Sequence, residues 1–346
     1  MKTTYSIIGG MAGSSMDGLD LSHVIFKKEN AEWNYQLGKC ETIPYDKGIY
    51  DALKKAETLS QSEKETLDVQ FGAWIGERIN EFSSDFESID LVGVHGHTVI
   101  HQPVNKISWQ LGRGDVIAKT INLPTVTEFR IEDILHGGQG APLVPFGDFT
   151  LFREYDACLN LGGIANISVR NNQTAWDICP CNQVLNFFAK RFGHPYDHNG
   201  EFASQGALDR NFYSSISQID YFKQPPPKSL PNNFISTDIL GTTDPKDGLY
   251  TYCKIVSEHV ANSVSKEPPG RMLITGGGAL NSFLIKTIKN ELNGWEIKVP
   301  EPKVINFKES LIFAFLALKR VRNEINVLAT VTGASKDTSS GVIHLP

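Results

Sequence analysis

The chain encodes its first strand and first glycine turn in one stretch, Tyr5-Ser6-Ile7-Ile8-Gly9-Gly10-Met11-Ala12-Gly13-Ser14-Ser15-Met16-Asp17-Gly18. Residues 5–10 are apolar enough for a buried strand, and a polar turn follows directly. Two more strands, an amphipathic helix and a further buried strand are predicted over 19–26, 33–43, 67–82 and 89–94. Ser62 and Glu65 have the spacing of a capping box at the start of this helix.

The second half repeats this order of elements. Residues 157–161 predict a strand that enters Gly162-Gly163, and residues 271–275 predict a later strand that enters Gly276-Gly277-Gly278. Between them, two strands and a helix are predicted over 164–170, 174–178 and 184–192. We therefore predict an α/β protein of two facing halves, with a ligand between them at the carboxyl ends of the strands, where glycine lets the backbone approach closely.

Length and composition bound the class of protein. A chain of 346 residues suggests two domains, which we place at 1–130 and 131–324, with the tail of about 325–346 able to pack back on the first. A formal net charge of −6 and no basic stripe exclude a nucleic-acid partner. The longest apolar run, 311–318, ends at Lys319-Arg320 and is too short for a membrane helix. Since the N-terminus has no signal-peptide pattern, a cytoplasmic protein is expected.

Three strand ends rich in glycine point to a phosphate site. The loop 9–18 offers free amides and hydroxyls, and Asp17 or Asp20 could face a hydrated Mg²⁺. A plain hairpin turn is the alternative for this loop taken alone. The glycines at 162–163 and 276–278 favour phosphate, because turns alone do not readily explain three such strand ends.

Asp177 and Arg130 are the charged residues whose positions suggest chemistry. Asp177 closes a strand before a helix, where rigid geometry suits a general base; the alternative is an acid that satisfies helix N-terminal amides. Arg130 can hold a carboxylate through two parallel hydrogen bonds. Its alternative is a surface ion pair with one of three nearby acids, Glu128, Glu132 or Asp133.

Three histidines follow the predicted strand at 89–94. His95-x-His97, with His101, resembles the start of a metal-dependent hydrolase site. No later set of His and Asp ligands stands at other strand ends, so polar contacts to a ligand are favoured. A metal-dependent hydrolase remains as an alternative function.

Taken together, these stretches resemble the anhydro-N-acetylmuramic acid kinases of the sugar kinase, Hsp70 and actin superfamily. The resemblance runs almost from end to end, and its motifs lie at 11–18, 94–103, 129–145, 159–166, 275–281 and 332–334. It implies two actin-like (ribonuclease H-like) domains with mixed sheets flanking an interdomain cleft. It also implies an ATP- and Mg²⁺-dependent kinase that opens the 1,6-anhydro bridge of the amino sugar with water and phosphorylates O6. The product in cell-wall recycling would be N-acetylmuramic acid 6-phosphate; a homodimer is left open.

The resemblance assigns roles to particular residues. Asp177 matches the family's catalytic aspartate, which takes a proton from the attacking water. Placed on the nucleotide side are Gly13, Ser14, Ser15, Asp17, Gly18, Asp20, Gly162, Gly163, Asn166, Gly276, Gly277 and Gly278. Placed on the sugar side are His95, His97, Thr98, Arg130, Gln139 and Glu309. None of the residues is assigned as a ligand of a resident metal.

Cysteine stands where the family has glycine in the loop after Asp177. The family's Asp-Thr-Gly-Pro-Gly-Asn is here Asp177-Ile178-Cys179-Pro180-Cys181-Asn182, and a Cβ disfavours a positive φ. Ala12, Ser14 and His97 also depart from the family pattern. These changes motivate a second hypothesis, a ligand-binding pseudokinase or sensor with an altered phosphate loop. The five cysteines are scattered, which argues against a disulfide framework and favours small buried side chains.

Overall fold

The computed structural model describes residues 2–13, 16–226, 228–230 and 234–346. The chain divides into two compact units. The first unit comprises residues up to Leu151 and from Phe307 onward, and the second comprises Phe152–Asn306. The sequence pointed instead to boundaries at 130/131 and 324/325. In the described parts of the chain, no helix is both long and apolar enough to cross a membrane.

The bounds of the strands and helices are as follows. The strands are β1 Thr4–Ala12, β2 Leu19–Glu29, β3 Glu32–Ile43, β4 Leu91–His95, β5 His97–Gln102, β6 Ile107–Leu111, β7 Thr125–Thr127, β8 Ala157–Leu161, β9 Ile164–Val169, β10 Thr174–Pro180, β11 Arg271–Thr275, β12 Glu296–Lys298 and β13 Val342–His344. The helices are α1 Lys47–Lys55, α2 Gln61–Ser83, α3 Gly114–Ile121, α4 Ile131–Leu135, α5 Val144–Leu151, α6 Asn182–Lys190, α7 Arg210–Ser217, α8 Thr237–Gly241, α9 Pro245–Ser263, α10 Ser282–Glu291, α11 Pro302–Val321 and α12 Ala329–Thr332.

Both units carry the same strand arrangement. The sheet of the first unit has the order β13-β7-β4-β1-β2-β3, and that of the second has β10-β9-β8-β11-β12. In each, three consecutive strands pair antiparallel, and the first of them pairs parallel with the strand that follows the helical connection. This is the actin-like (ribonuclease H-like) order, so the repeated element order and the mixed α/β class predicted from sequence are confirmed.

Close packing of a helix against the first sheet depends on a glycine of β1. The apolar run 311–318 lies within α11 and is buried, as predicted. A Cβ at Gly9 would lie 1.9 Å from the carbonyl oxygen of Ser310, so only glycine allows this approach. The helix therefore belongs to the core of the first unit from residue 307 onward.

Helix α2 begins earlier than the sequence indicated. Its capping box is formed by Ser60 and Glu63, not by Ser62 and Glu65. Both pairs have the same Ser-x-x-Glu spacing, but Ser62 lies inside the helix. Phe71, Ile75 and Ile79 are fully buried on this helix and belong to the core cluster over β1 and β4.

Candidate active site

In the first unit, register brings two predicted residues to the end of β1. Met11 pairs with Asp20 on β2 and with His95 on β4. Asp20 and His95 therefore lie on the two strands that flank Met11. Asp20, assigned to the nucleotide side, and His95, assigned to the sugar side, thus lie on either side of β1.

Arg130, which is half-buried, is hydrogen-bonded to the buried His95. Arg130 Nε donates to His95 Nε2 (3.1 Å), and Arg130 Nη1 donates to the carbonyl oxygen of Gly140 (2.7 Å). Since Nε2 accepts, the neutral imidazole carries its proton on Nδ1. Burial, and secondarily the charge of Arg130, lowers the pKa of His95 well below its ordinary value. The guanidinium occupies Nε2 of His95, so this nitrogen is not open to the cation that the metal-hydrolase alternative requires.

Asp133 braces the loop that Arg130 contacts. Gly140 N donates to Asp133 Oδ2 (2.7 Å), and Thr332 Oγ1 donates to Asp133 Oδ1 (2.6 Å). Asp133 is fully buried. Its two hydrogen bonds link α4 to the glycine loop and to the C-terminal segment. We call Arg130, His95, Asp133 and Gly140 the Arg130 cluster. Within the described chain Arg130 makes no ion pair, so the surface pairing considered from sequence is not formed.

Glu309 interacts electrostatically with Arg130 and Asp20. Burial raises its pKa, and Asp20 acts in the same direction, whereas Lys308 and Arg130 oppose the rise. Reciprocally, burial lowers the pKa of Arg130 to about 10, with Glu309 opposing. Arg130 therefore stays charged at neutral pH. Its guanidinium and the Glu309 carboxyl could both bind a polar ligand.

Asp20 and Asp17 are close enough to influence each other. Thr42 Oγ1 donates to Asp20 Oδ1 (2.5 Å); burial raises the pKa of Asp20, and Asp17 adds to the rise. Two neighbouring carboxylates fit the habit of Mg²⁺, which binds one or two carboxylates together with phosphate oxygens. Ser14 and Ser15, predicted for the same loop, lie outside the described residues.

The remaining predicted residues of the first unit range from buried to exposed. His97 and Thr98 begin β5, which pairs with β6, and burial lowers the pKa of His97. Gln139 is exposed, and its N–H donates to the carbonyl oxygen of Thr332 (2.9 Å). Gly13 accepts a weak bond from Met16 N (3.5 Å). At Gly18, a Cβ would lie 2.4 Å from the carbonyl oxygen of Ile43.

In the second unit, the ends of β8 and β11 converge around two asparagines. A Cβ at Gly276, whose φ is +80°, would lie 2.5 Å from Asn160 Oδ1, and a Cβ at Gly278 would lie 3.2 Å from Asn182 Oδ1. Asn182 Nδ2 donates to the carbonyl oxygen of Leu161 (2.9 Å). We call Gly162–Gly163 and Gly276–Gly278 the glycine ends. The structure brings them together, as a backbone phosphate cradle requires.

Asp177 lies on β10 opposite Asn166, which pairs in turn with Asn160 on β8. Its Oδ2 accepts from Leu230 N (2.9 Å). Burial raises the pKa of Asp177, and the Leu230 N–H opposes this rise. The carboxyl is bonded to a connecting segment rather than to helix amides of α6, so the helix-capping alternative is wrong. A raised pKa brings a carboxylate nearer to the range of a general base.

The two cysteines after Asp177 face the core. Cys179 and Cys181 are fully buried in the hydrophobic cluster of the second unit. Neither has a positive φ, and Cys181 has φ −127°. Burial raises the pKa of both thiols, so they stay protonated. The observation that motivated a pseudokinase therefore has another explanation: the added side chains fill core volume.

A cavity of about 490 Å³ lies beside the glycine ends. Its lining includes Ala279 and Ser282, which follow the glycine run directly, and Lys286 and Lys289 of α10. Two ammonium groups next to a cradle of backbone amides suit a polyanion. The sequence had indicated the glycines but not this cavity.

Several residues that shape the site were missed from sequence. Asn160 and Asn182 support the glycine ends, and Leu230 binds Asp177. Asn160 stands two residues before Gly162, which was the available signal for it, whereas Asn182 follows Cys181 and has no glycine beside it. No local pattern marks Leu230, because its contribution is a backbone N–H.

Comparison with known proteins extends these observations. The strand order places the chain in the actin-like class of α/β proteins. A model of the anhydro-N-acetylmuramic acid kinase family matches residues 5–346, and the chain belongs to that family. It is 31% identical over 371 residues to the anhydro-N-acetylmuramic acid kinase of Azorhizobium caulinodans, covering 98% of this chain and 99% of that protein. It is 30% identical over 375 residues to the one of Vibrio vulnificus, covering 99% of each.

One solved structure aligns more distantly. The activator of the 2-hydroxyisocaproyl-CoA dehydratase from Clostridium difficile with bound ADPNP matches with a TM-score of 0.46 and 15% identity. The alignment covers 92% of this chain and 97% of that one. The family membership rests on the sequence matches alone.

Proposed function

We propose that this protein is an ATP-dependent kinase that opens 1,6-anhydro-N-acetylmuramic acid with water and phosphorylates O6, giving N-acetylmuramic acid 6-phosphate for cell-wall recycling. Membership in the kinase family supports the reaction. The observation that carries the assignment of residues is the partly buried Asp177, held at the edge of the sheet that bears the glycine ends. The proposal places the reaction in the cytoplasm, where ATP is available.

Asp177 is the proposed general base. It takes a proton from the water that attacks the anomeric carbon, while the bond from that carbon to O6 breaks. The freed O6 receives the γ-phosphoryl group, and ADP leaves. Burial supports the assignment, since a carboxyl with a raised pKa is a stronger base toward water.

The Arg130 cluster and Glu309 are proposed to bind the sugar, together with His97, Thr98 and Gln139. Arg130 is charged, braced on two sides and poised to meet the lactyl carboxylate of the sugar. His95 serves mainly by orienting the guanidinium through its Nε2 lone pair. Glu309 offers an acceptor to sugar hydroxyls.

The glycine ends are proposed to hold the ATP phosphates, with the base and ribose in the adjoining cavity. Gly13, Gly18 and Asn166 complete the proposed nucleotide contacts. Asp17 and Asp20 are the groups that would hold Mg²⁺, which neutralises charge on the transferring phosphoryl group. A homodimer stays a prediction that sedimentation would test.

Incubation of the purified protein with ATP, Mg²⁺ and the anhydro sugar tests the proposal. We expect ADP and a ring-opened 6-phosphorylated sugar in equal amounts. Asp177→Asn should lower the rate by about 10²–10⁴-fold, the usual contribution of a general base. Asp220→Asn, which alters an exposed acid of the same unit, is the control and should leave the rate unchanged. Undiminished turnover in Asp177→Asn would remove this residue from the mechanism.

A further inference from the structure

At Asp177, the outer side of β10 is contacted by Tyr221, Lys228 and Leu230 of the connecting segment that follows α7. Because β10 is an edge strand, its outward-facing groups have no strand partner. Asp177 N donates to the carbonyl oxygen of Lys228 (3.0 Å), and Tyr221 Oη donates to the carbonyl oxygen of Asp177 (2.7 Å). Together with the bond from Leu230 N to Oδ2, three contacts from residues 221–230 converge on one residue.

The place of these contacts is where the strand is irregular. The register of β10 against β9 shifts between Asp177 and Cys179, and a bulge of this kind re-aims the side chain beside it. Without an external partner, the peptide after Asp177 would be free to rotate at an unpaired edge. The Tyr221 hydroxyl removes that freedom, since it bonds the carbonyl at the shift itself.

Tyr221 is itself held in place. Its side chain is 8% exposed and packs edge-on against Phe234, with ring centroids 5.3 Å apart. Lys228 Nζ lies 4.5 Å from the centre of the Tyr221 ring and donates to the carbonyl oxygen of Tyr221 (3.0 Å). A hydroxyl on so constrained a ring can act as a fixed support.

We propose that Tyr221 and the backbone N–H of Leu230 are positioning groups for Asp177, holding its carboxylate so that Oδ1 is the oxygen that takes the proton from water. This inference rests on the proposed function. Oδ2 is occupied by the Leu230 N–H, whereas Oδ1 has no hydrogen-bond partner among the described residues. The two oxygens are therefore inequivalent before any substrate arrives, which lowers the cost of orienting the base.

The first test removes the tyrosine hydroxyl alone. Tyr221→Phe keeps the ring and its contact with Lys228, and we expect kcat to fall about tenfold with both KM values unchanged, the effect of one hydrogen bond. Tyr213→Phe is the matched control, because Tyr213 donates to Glu258 in the same unit without contacting Asp177. Equal kcat values for the two variants would overturn the role of Tyr221.

The second test removes the N–H of Leu230. Leu230→Pro deletes the donor, whereas Leu230→Ala keeps it and loses only the side chain. Because this N–H lowers the pKa of Asp177, its loss should move the acidic limb of the kcat profile to higher pH in the proline variant alone. Coincident limbs in the two variants would overturn the role of Leu230.

The two series of variants distinguish failure of the proposed function from failure of the positioning inference. If Asp177→Asn retains full activity, the proposed role of Asp177 is wrong and the positioning inference falls with it. If Asp177→Asn is inactive but Tyr221→Phe behaves as Tyr213→Phe and the proline variant as the alanine one, only the positioning inference is wrong. Thermal unfolding of each variant identifies any that is unfolded; for a misfolded proline variant, Tyr221→Phe still decides.

Discussion

The Arg130 cluster and the glycine ends are built on opposite principles. The cluster presents charged side chains, each braced by a neighbour, and its polar atoms come from segments far apart in sequence. The glycine ends present backbone groups, and a ligand can approach these groups closely because glycine has no side chain. The first arrangement suits a ligand that is recognised by its functional groups, and the second suits a phosphate chain that must come close to amides. Substitutions in the two regions should therefore fail in different ways.

Among substitutions in these two regions, the largest effect is expected at Arg130. Arg130→Ala removes a charged group with two charge-assisted contacts, so kcat/KM for the sugar should fall about 100–1,000-fold while KM for ATP is unchanged. Arg130→Lys should restore little, because an ammonium cannot reproduce the planar fork. Steady-state kinetics with each substrate varied would check this. An unchanged kcat/KM for the sugar would place Arg130 outside the sugar site.

Replacing a buried cysteine by glycine tests whether cysteine in the loop after Asp177 lowers the activity of the enzyme. Cys181→Gly empties core volume and frees the unfolded chain, so the free energy of unfolding should fall by about 2 kcal/mol. Turnover of the folded enzyme should stay the same. Urea unfolding and activity assays measure the two effects, and a marked gain in kcat would show that Cys181 impairs turnover.

A substitution at Gly277 tests nucleotide binding separately from folding. Among the described residues, a Cβ there would meet only Asn182 Nδ2, at an ordinary 3.6 Å, so Gly277→Ala should keep its melting temperature. Displacing the phosphates by a methyl group should raise KM for ATP about tenfold, or 1.4 kcal/mol. Gly276→Ala should instead lose stability, because position 276 has φ +80° and contacts Asn160. Unaltered KM for ATP in Gly277→Ala would contradict the phosphate assignment.

The smallest effect concerns the pH dependence of stability. The folded-state pKa of His95 is well below that of the unfolded chain, so the unfolded chain binds a proton first as pH falls below about 6.5. The stability associated with neutral His95 is therefore present above pH 6.5 and is lost progressively on acidification. His95→Gln should flatten the slope of unfolding free energy between pH 6.5 and 5 by up to about 1.4 kcal/mol per pH unit. Parallel slopes in wild type and variant would refute the buried neutral imidazole.

Much of the fold followed from local pattern. The alternation of apolar strands with glycine turns predicted the two repeats, and β8 and β11 have the predicted bounds. The capping box was placed two residues late because two Ser-x-x-Glu pairs overlap. Local spacing cannot choose between such pairs, since the choice depends on where the helix meets its neighbours.

The candidate site was predictable by residue type but not by contact. Asp177, Arg130 and the glycines were all indicated by their positions at strand ends and loops. Their partners were not: Asp133 was one of three acids considered for a surface ion pair with Arg130, yet its two oxygens accept from Gly140 and Thr332. The direction of Cys179 and Cys181 was likewise invisible, although it decides whether their side chains oppose phosphate or fill the core.

The amino-acid sequence by itself determined the order of strands and helices, the glycines at three strand ends and the family to which the chain belongs. These properties are local, because periodicity, caps and turns act over a few residues. Only the tertiary structure decided that His95 accepts from Arg130, that the cysteines are buried and that Tyr221 and Leu230 hold Asp177. Such contacts join residues 35 to 53 positions apart, so they arise only when sheet register and packing bring distant segments together.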